Sequence, residues 1–149
     1  IKRTKRTVDF LIKSGVDLVI GNHEHVIHPI EYKNKKLISY SLGNFISTTG
    51  VTKEPFDKMA EYSILLNIYI SKKDGKIKYD KCTFTIVKSV NDYIEEKDSV
   101  KVKLLYDLIK ESTSIEEKQN LMKDNQKIVK LVTGKNIDLN DLEEEYVVF

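Results

Sequence analysis

The sequence predicts an α/β chain in which a helix–strand unit is followed by β-hairpins and then by two C-terminal α-helices. Three observations point there. An apolar stripe at helical spacing gives way at a glycine to a short β-branched run. Two later stretches alternate apolar and polar residues around turn-forming residues. The last third is Lys- and Glu-rich, with Leu, Ile and Val at helical intervals. The 149 residues, 40% hydrophobic and 32% charged, suit one compact soluble domain or the end of a larger one.

From Thr4 to Ser14 the residues Val8, Leu11 and Ile12 recur with helical period, and Gly15 supplies the stop, because glycine takes a left-handed cap cheaply. Val16 to Ile20 then reads as a buried strand ending at Gly21. Ile30–Tyr32 and Lys36–Tyr40 flank a polar turn at Asn34 and form a hairpin. Ser47 to Pro55 reads as a loop. In Glu61 to Ile70 the residues Tyr62, Ile64, Leu66, Ile68 and Ile70 alternate strictly, as a half-buried strand does. Asp74-Gly75 turns the chain into a second strand, Lys76 to Val87. Val100–Glu111 and Ile115–Thr133 read as amphipathic helices, the second ended by Gly134, and an acidic piece, Asp138–Phe149, closes the chain. The helices either pack across the preceding sheet or form a small appended bundle. The expected division is residues 1–93 and a helical extension, 94–149.

Bulk properties exclude several function classes. A formal charge of +2 and a pI near 8.5 call for no polyanion partner. No basic stripe with interleaved aromatics appears, so nucleic acid is not an expected partner. The Lys2, Arg3, Lys5, Arg6 cluster and the Glu143–Glu145 run read as solvated faces. The single cysteine, Cys82, cannot form an intrachain disulfide and reads as a small apolar residue in a strand. No apolar run reaches the length of a membrane span. The chain opens on Ile1 in a basic, helix-like segment, which reads as a truncation with any leader or anchor upstream.

Chemistry concentrates between Asp17 and Phe45. Gly21-Asn22-His23-Glu24-His25 follows the predicted strand end, and His28 lies just beyond, so all three histidines fall together. In extended backbone, residues i and i+2 point to one side, so one ion or an ion pair can accept both imidazoles. A plain polar loop with locally bonded histidines is the alternative. In Tyr40-Ser41-Leu42-Gly43-Asn44-Phe45, Gly43 permits a tight turn. Ser41 and Asn44 either contact a phosphate or carboxylate or only shape that turn. His28 reads as exposed or supporting, and Glu31 as structural.

Read continuously, SGVDLVIGNHEHVIHPIEYKNKKLISYSLGNFI (residues 14–46) resembles the CapA family of bacterial capsule and poly-γ-glutamate biosynthesis proteins. That family's pattern is a strand, a glycine, a histidine-rich turn ending in His-Val, then a Tyr-Ser-Leu-Gly-Asn-Phe stretch. The resemblance covers Ile1 to about Val90. It implies a calcineurin-like metallophosphoesterase fold, with this chain supplying the C-terminal part of the α/β sandwich. By the same resemblance His23 and His25 would each bind one of two divalent ions (Mn, Fe or Zn); Ser41 and Asn44, near such a site, are the candidate substrate contacts if they do more than shape the turn. Asn22 and Glu24 depart from the family, which often has histidine and proline there. Gly-Asn-His-Glu also spells the phosphoesterases' central motif, but the downstream Tyr40–Phe45 fits only the late one.

The implied function is metal-dependent hydrolysis or transfer in capsule or polyglutamate assembly. The partners would be an anionic polymer or phosphoester substrate and capsule synthase components. An extracytoplasmic location at the bacterial surface is expected, with the membrane reached only through a missing N-terminal anchor. A non-catalytic surface scaffold and a cytoplasmic metallophosphoesterase are the competing expectations. Of the family's earlier ligand elements, "G-D" and "N-N-H" are not found in Ile1–Phe149, and "N-x-E" is spelled only by Asn22-His23-Glu24 within the late histidine turn. The isolated chain is therefore expected to be catalytically inert, and no residue in it is assigned a catalytic role.

Overall fold

The computed structural model describes residues 2–46, 58–94 and 97–149. The expected loop Ser47–Pro55 lies outside them.

Helix α1 (Lys2–Lys13) buries Val8 against Ile38 and Tyr40, with Ile12 packed beside them. Its end shows why glycine was needed. Gly15 sits at φ +98°, its N–H donating to Ile12 (3.1 Å) while Val16 N–H reaches back to Leu11 (3.1 Å). This pair of bonds satisfies two otherwise unpaired helix carbonyls. Strand β1 (Leu18–Ile20) runs parallel to β3 (Lys36–Ser39), and β3 pairs antiparallel with β2 (Ile30–Lys33), giving the order β1-β3-β2. Asn34 and Lys35, at φ 53° and 61°, make the two-residue turn that a right-twisted hairpin prefers.

One expectation fails here. β1 is not a buried strand: Leu18 and Val19 are half-buried and Ile20 is 52% exposed. Its apolar composition suits burial, but among the described residues only β3 pairs with it, so it is an edge.

A 3-10 turn, Lys58–Glu61, leads into β4 (Tyr62–Lys73). The turn at Asp74-Gly75 then returns the chain as β5 (Lys76–Ile94). The predicted alternation holds for Tyr62 and Ile64, which are buried, and for Leu66 and Ile68, which are partly so. It stops at Ile70, which is exposed. Between Tyr69 and Ile70 the register shifts, with Tyr69 opposite Lys81 but Ile70 opposite Tyr79, so Asp80 is the extra residue of a bulge. The bulge inverts the phase of β5, which lets both Tyr79 and Cys82 face inward. Tyr79 Oη donates to the Asp17 carbonyl (3.0 Å), tying the large sheet to the start of β1.

Residues 97–104 correct a second expectation. They form strand β6 (Lys97–Leu104), not the start of a helix, and β6 pairs along Val87–Ile94. The sheet thus crosses the expected division between residues 93 and 94. Helix α2 (Leu105–Glu111) and helix α3 (Ile115–Thr133) come next. Ser114 caps α3 by accepting Glu117 N–H (3.3 Å), and Gly134 ends it at φ 72°. β7 (Tyr146–Val147) lies along the other part of the same β5 edge, opposite Thr83 and Phe84.

The two helices pack across the large sheet. Leu105, Ile109, Ile128, Val129 and Val132 share one core with Tyr62, Ile64 and Phe84, and that core reaches Ile27, Ile30 and Leu37 near the small sheet. Polar ties reinforce the packing. Tyr62 Oη donates to Asp124 of α3 (2.9 Å), and burial with the nearby Asp124 charge pushes the Tyr62 phenol far up. Asn125 Nδ2 donates to Tyr146 Oη (2.7 Å), holding β7 to the same helix.

Candidate metal centre

The site is built where β1 leaves the small sheet. Gly21 N–H donates to Ser39 (2.7 Å), and a Cβ at Gly21 would collide with the Tyr40 carbonyl oxygen. Glycine is required there because the two backbones touch. The chain then turns sharply through Asn22–His25, with Asn22 Oδ1 accepting His23 N–H (3.0 Å).

The histidines do not lie in the extended backbone that their spacing predicts. His23 has φ 105° and His25 has φ 60°. The other non-glycine residues at positive φ among those described are Asn34, Lys35 and Asp74, all within two-residue hairpin turns that require it. No hairpin accounts for the histidines. Each such residue costs on the order of 1–3 kcal/mol and persists only where surrounding structure imposes it, commonly at a functional site. Both side chains are exposed, and despite the altered backbone the rings converge, with centroids 6.1 Å apart and planes at 45°.

Tyr40–Phe45 forms a seam between the two sheets. On one side His28 N–H donates to Ser41 (3.0 Å) and Ile27 bridges Leu42. On the other, Ile64 N–H donates to Leu42 (2.9 Å) and Gly43 bridges Ser63. Gly43 sits at φ 84°, where a Cβ would lie 2.5 Å from the Tyr62 carbonyl oxygen and 3.1 Å from Ser63 Cα. The seam delivers Asn44 to the histidine turn. Asn44 Oδ1 lies 2.7 Å from His25 Nδ1, and Asn44 Nδ2 donates to the Ala60 carbonyl at 3.5 Å.

The structure therefore brings His23, His25 and Asn44 together and leaves Ser41 out. Ser41 is fully buried, and its Oγ accepts Gly43 N–H (3.3 Å), so it braces the seam and faces no open site. Ala60 was invisible to sequence reasoning, since a backbone carbonyl carries no side-chain signal. Gly43 was legible as a turn residue but not as a point of backbone contact.

Beside the turn lies a cavity of about 410 Å³, lined in part by Lys5 of α1, Val26, His28, Glu31 and Tyr40. Tyr40 bonds Glu31, and burial together with the Glu31 and Asp9 charges raises its phenol above the usual value, so it stays protonated. Lys5 offers the wall a cation, with its ammonium 5.9 Å from the Tyr40 ring centre. His28 and Glu31 thus line a cavity next to the histidine pair.

Two exposed imidazoles fit part of a metal shell. Among the described residues no group of three or more His, Cys, Asp or Glu is placed to hold an ion, so these two cannot close a shell by themselves.

Residues 2–49 match the family model of the bacterial capsule synthesis protein PGA_cap. Over 111 residues the chain is 30% identical to the PGA biosynthesis protein CapA of Bacillus subtilis (strain 168), covering 74% of this chain and 27% of that protein. Over 54 residues it is 30% identical to the capsule biosynthesis protein CapA of Bacillus anthracis, covering 36% of this chain and 13% of that one. The aligned part spans little more than a quarter of the longer-matched relative, and the family match over residues 2–49 contains both the histidine turn and Tyr40–Phe45. Together these matches support membership of the CapA family of bacterial capsule synthesis proteins, with the chain corresponding to part of a longer relative.

Proposed function

We propose that His23 and His25 are ligands in a metallophosphoesterase-type binuclear centre, used for hydrolysis or transfer in capsule or poly-γ-glutamate assembly. The observation that carries this reading is the convergence of two strained, exposed imidazoles at the end of a β-strand. In the resemblance, His23 and His25 each serve a different ion. Ring centres 6.1 Å apart are compatible with that division. Two divalent cations held there would lower the pKa of a bound water and neutralise charge developing on a phosphoryl or acyl group. Imidazole with oxygen ligands suits Mn, Fe or Zn.

The chain's own groups would bind and orient. Lys5 would attract an anionic substrate toward the neighbouring cavity, and the protonated Tyr40 with Glu31 would fix its wall. The substrate class is an anionic polymer or a phosphoester, and other capsule synthase components are the proposed partners. We propose a location outside the cytoplasm at the cell surface, an expectation that follows from the family resemblance. Among the described residues, no helix is long and apolar enough to cross a membrane.

The test is metal content per chain in full-length protein, by mass spectrometry, for the parent and for His23→Ala and His25→Ala. Each substitution should lower the bound metal. Unchanged content in both would overturn the metal reading and leave the non-catalytic scaffold. The 149-residue chain alone should show no metal-dependent phosphodiesterase turnover, and a measurable rate would contradict the need for further ligands.

A further inference from the structure

We infer that Asn44 is a positioning residue for His25: its side-chain oxygen holds the imidazole in the Nδ1–H tautomer and leaves Nε2 as the free lone pair. Which atom of an amide faces a neighbour is decided by its other bonds. Here Asn44 Nδ2 is engaged by the Ala60 carbonyl at 3.5 Å, and that carbonyl can only accept. The oxygen is therefore the atom turned toward His25, at 2.7 Å from Nδ1. A carbonyl-type oxygen has no proton to give, so the imidazole must donate, and in a neutral ring that fixes Nδ1–H and leaves Nε2 bare.

Asn44 cannot easily choose otherwise. Its backbone follows Gly43, whose contact with Tyr62 and Ser63 locks the seam, and Ala60 lies just ahead of β4. The orientation of a single ring on the histidine turn is thus set by the large sheet, through one amide. Partners of this kind commonly change metal affinity by about 10–100-fold when removed. The inference rests on the metal reading only for that last consequence, because the tautomer belongs to the metal-free protein.

The experiment is long-range proton–nitrogen correlation NMR on the 149-residue chain with labelled histidine, without metal, near pH 8 so that ordinary imidazoles (pKa about 6.5) are neutral. His23 gives an internal reference, since the Asn44 bond goes to His25. The parent should show His25 predominantly as Nδ1–H. Asn44→Ala should shift His25 toward Nε2–H, and Asn44→Asp, which keeps an acceptor, should restore Nδ1–H. Backbone amide spectra establish that each variant is folded. If the parent shows His25 mainly as Nε2–H, the inference is overturned whatever the variants do. It is equally overturned if a folded Asn44→Ala keeps the parent tautomer.

A parallel titration with Zn²⁺ separates this inference from the metal reading. Weakening of about tenfold or more in Asn44→Ala, with recovery in Asn44→Asp, supports both. The expected tautomers in full-length protein that takes up none of Zn²⁺, Mn²⁺ and Fe²⁺ would uphold the role of Asn44 and remove the metal site.

Discussion

Around the large sheet, Phe84, Leu105, Ile109, Ile128 and Val132 are almost wholly removed from water. Around the small sheet, Phe10 and Ile20 are more than half exposed, and a separate cluster of Val8, Ile38 and Tyr40 forms the packing under α1. The strain runs the other way. The large-sheet half has one described non-glycine residue at positive φ, Asp74 in a hairpin turn, whereas the small-sheet half has four, including both candidate ligands. Backbone strain and candidate chemistry therefore lie together in the small-sheet half, the core that includes Leu37 and Phe84 is shared by both, and the Leu42–Gly43 seam with the Tyr79–Asp17 bond connects them. A well-packed half can hold an unfavourable backbone in place in its neighbour, because the strained turn needs only a small share of the stability gained elsewhere.

The strongest way to challenge that division is Phe84→Ala, which should cost about 3–5 kcal/mol in urea unfolding. Ile27, Ile30 and Leu37 belong to the same core as Phe84, so histidine-turn and α3 resonances should be lost in one transition. Two separate transitions would mean that the halves fold independently. Gly43→Ala attacks the seam directly and should cost on the order of 2–3 kcal/mol, since it adds both strain and a backbone clash. It should also speed amide exchange at His28 and Ile64, whose N–H groups bond Ser41 and Leu42.

A smaller effect comes from pH. Burial pushes the Cys82 thiol up from 9.0 to about 11. The folded state holds this proton more tightly than the unfolded chain, so its contribution is complete below about pH 9 and declines as pH rises toward about 11. Tyr62, also raised by burial, adds loss in the same direction at still higher pH. Urea midpoints should fall over this range, and thiol labelling of the folded chain at about pH 8 to 9 should be slow. Rapid labelling would show that Cys82 is not enclosed. The smallest expected change is a gain. His23→Gly removes a side chain from φ 105° and should raise stability by up to about 1 kcal/mol while lowering metal content. A loss of stability would show that the histidine turn is not strained.

Much of the fold was legible because it rests on local chemistry. Gly15 and Gly134 marked helix ends, Asn34 and Asp74-Gly75 marked hairpin turns, and Ile115–Thr133 was read to its observed limits. The errors came where pairing decided the outcome. Val100, Val102 and Leu104 alternate with Lys101 and Lys103, a strand pattern present in the chain but masked by the Lys- and Glu-rich helical character of Leu105–Glu111 and Ile115–Thr133. β7 is two residues long and leaves no periodic trace. At the site, the histidine pair and Asn44 were singled out by residue type and order. Their backbone was not foreseen, because the contacts that surround the turn, of Gly21 with Tyr40 and of Asn44 with His25, each span 19 residues in sequence.

The double pairing of Ser41–Gly43 also decides where chain length can vary. An extra residue at Asn34–Lys35 or at Asp74-Gly75 would only lengthen a hairpin tip, leaving the strands in register. An extra residue between Ser41 and Asn44 has no such outlet. It would shift pairing against Ile27–His28 on one side and Ser63–Ile64 on the other, and carry Asn44 away from the ring it holds. Across relatives, the spacing from the histidine turn to this asparagine should vary only at the β2–β3 hairpin, and the stretch from Tyr40 to Phe45 should keep its length.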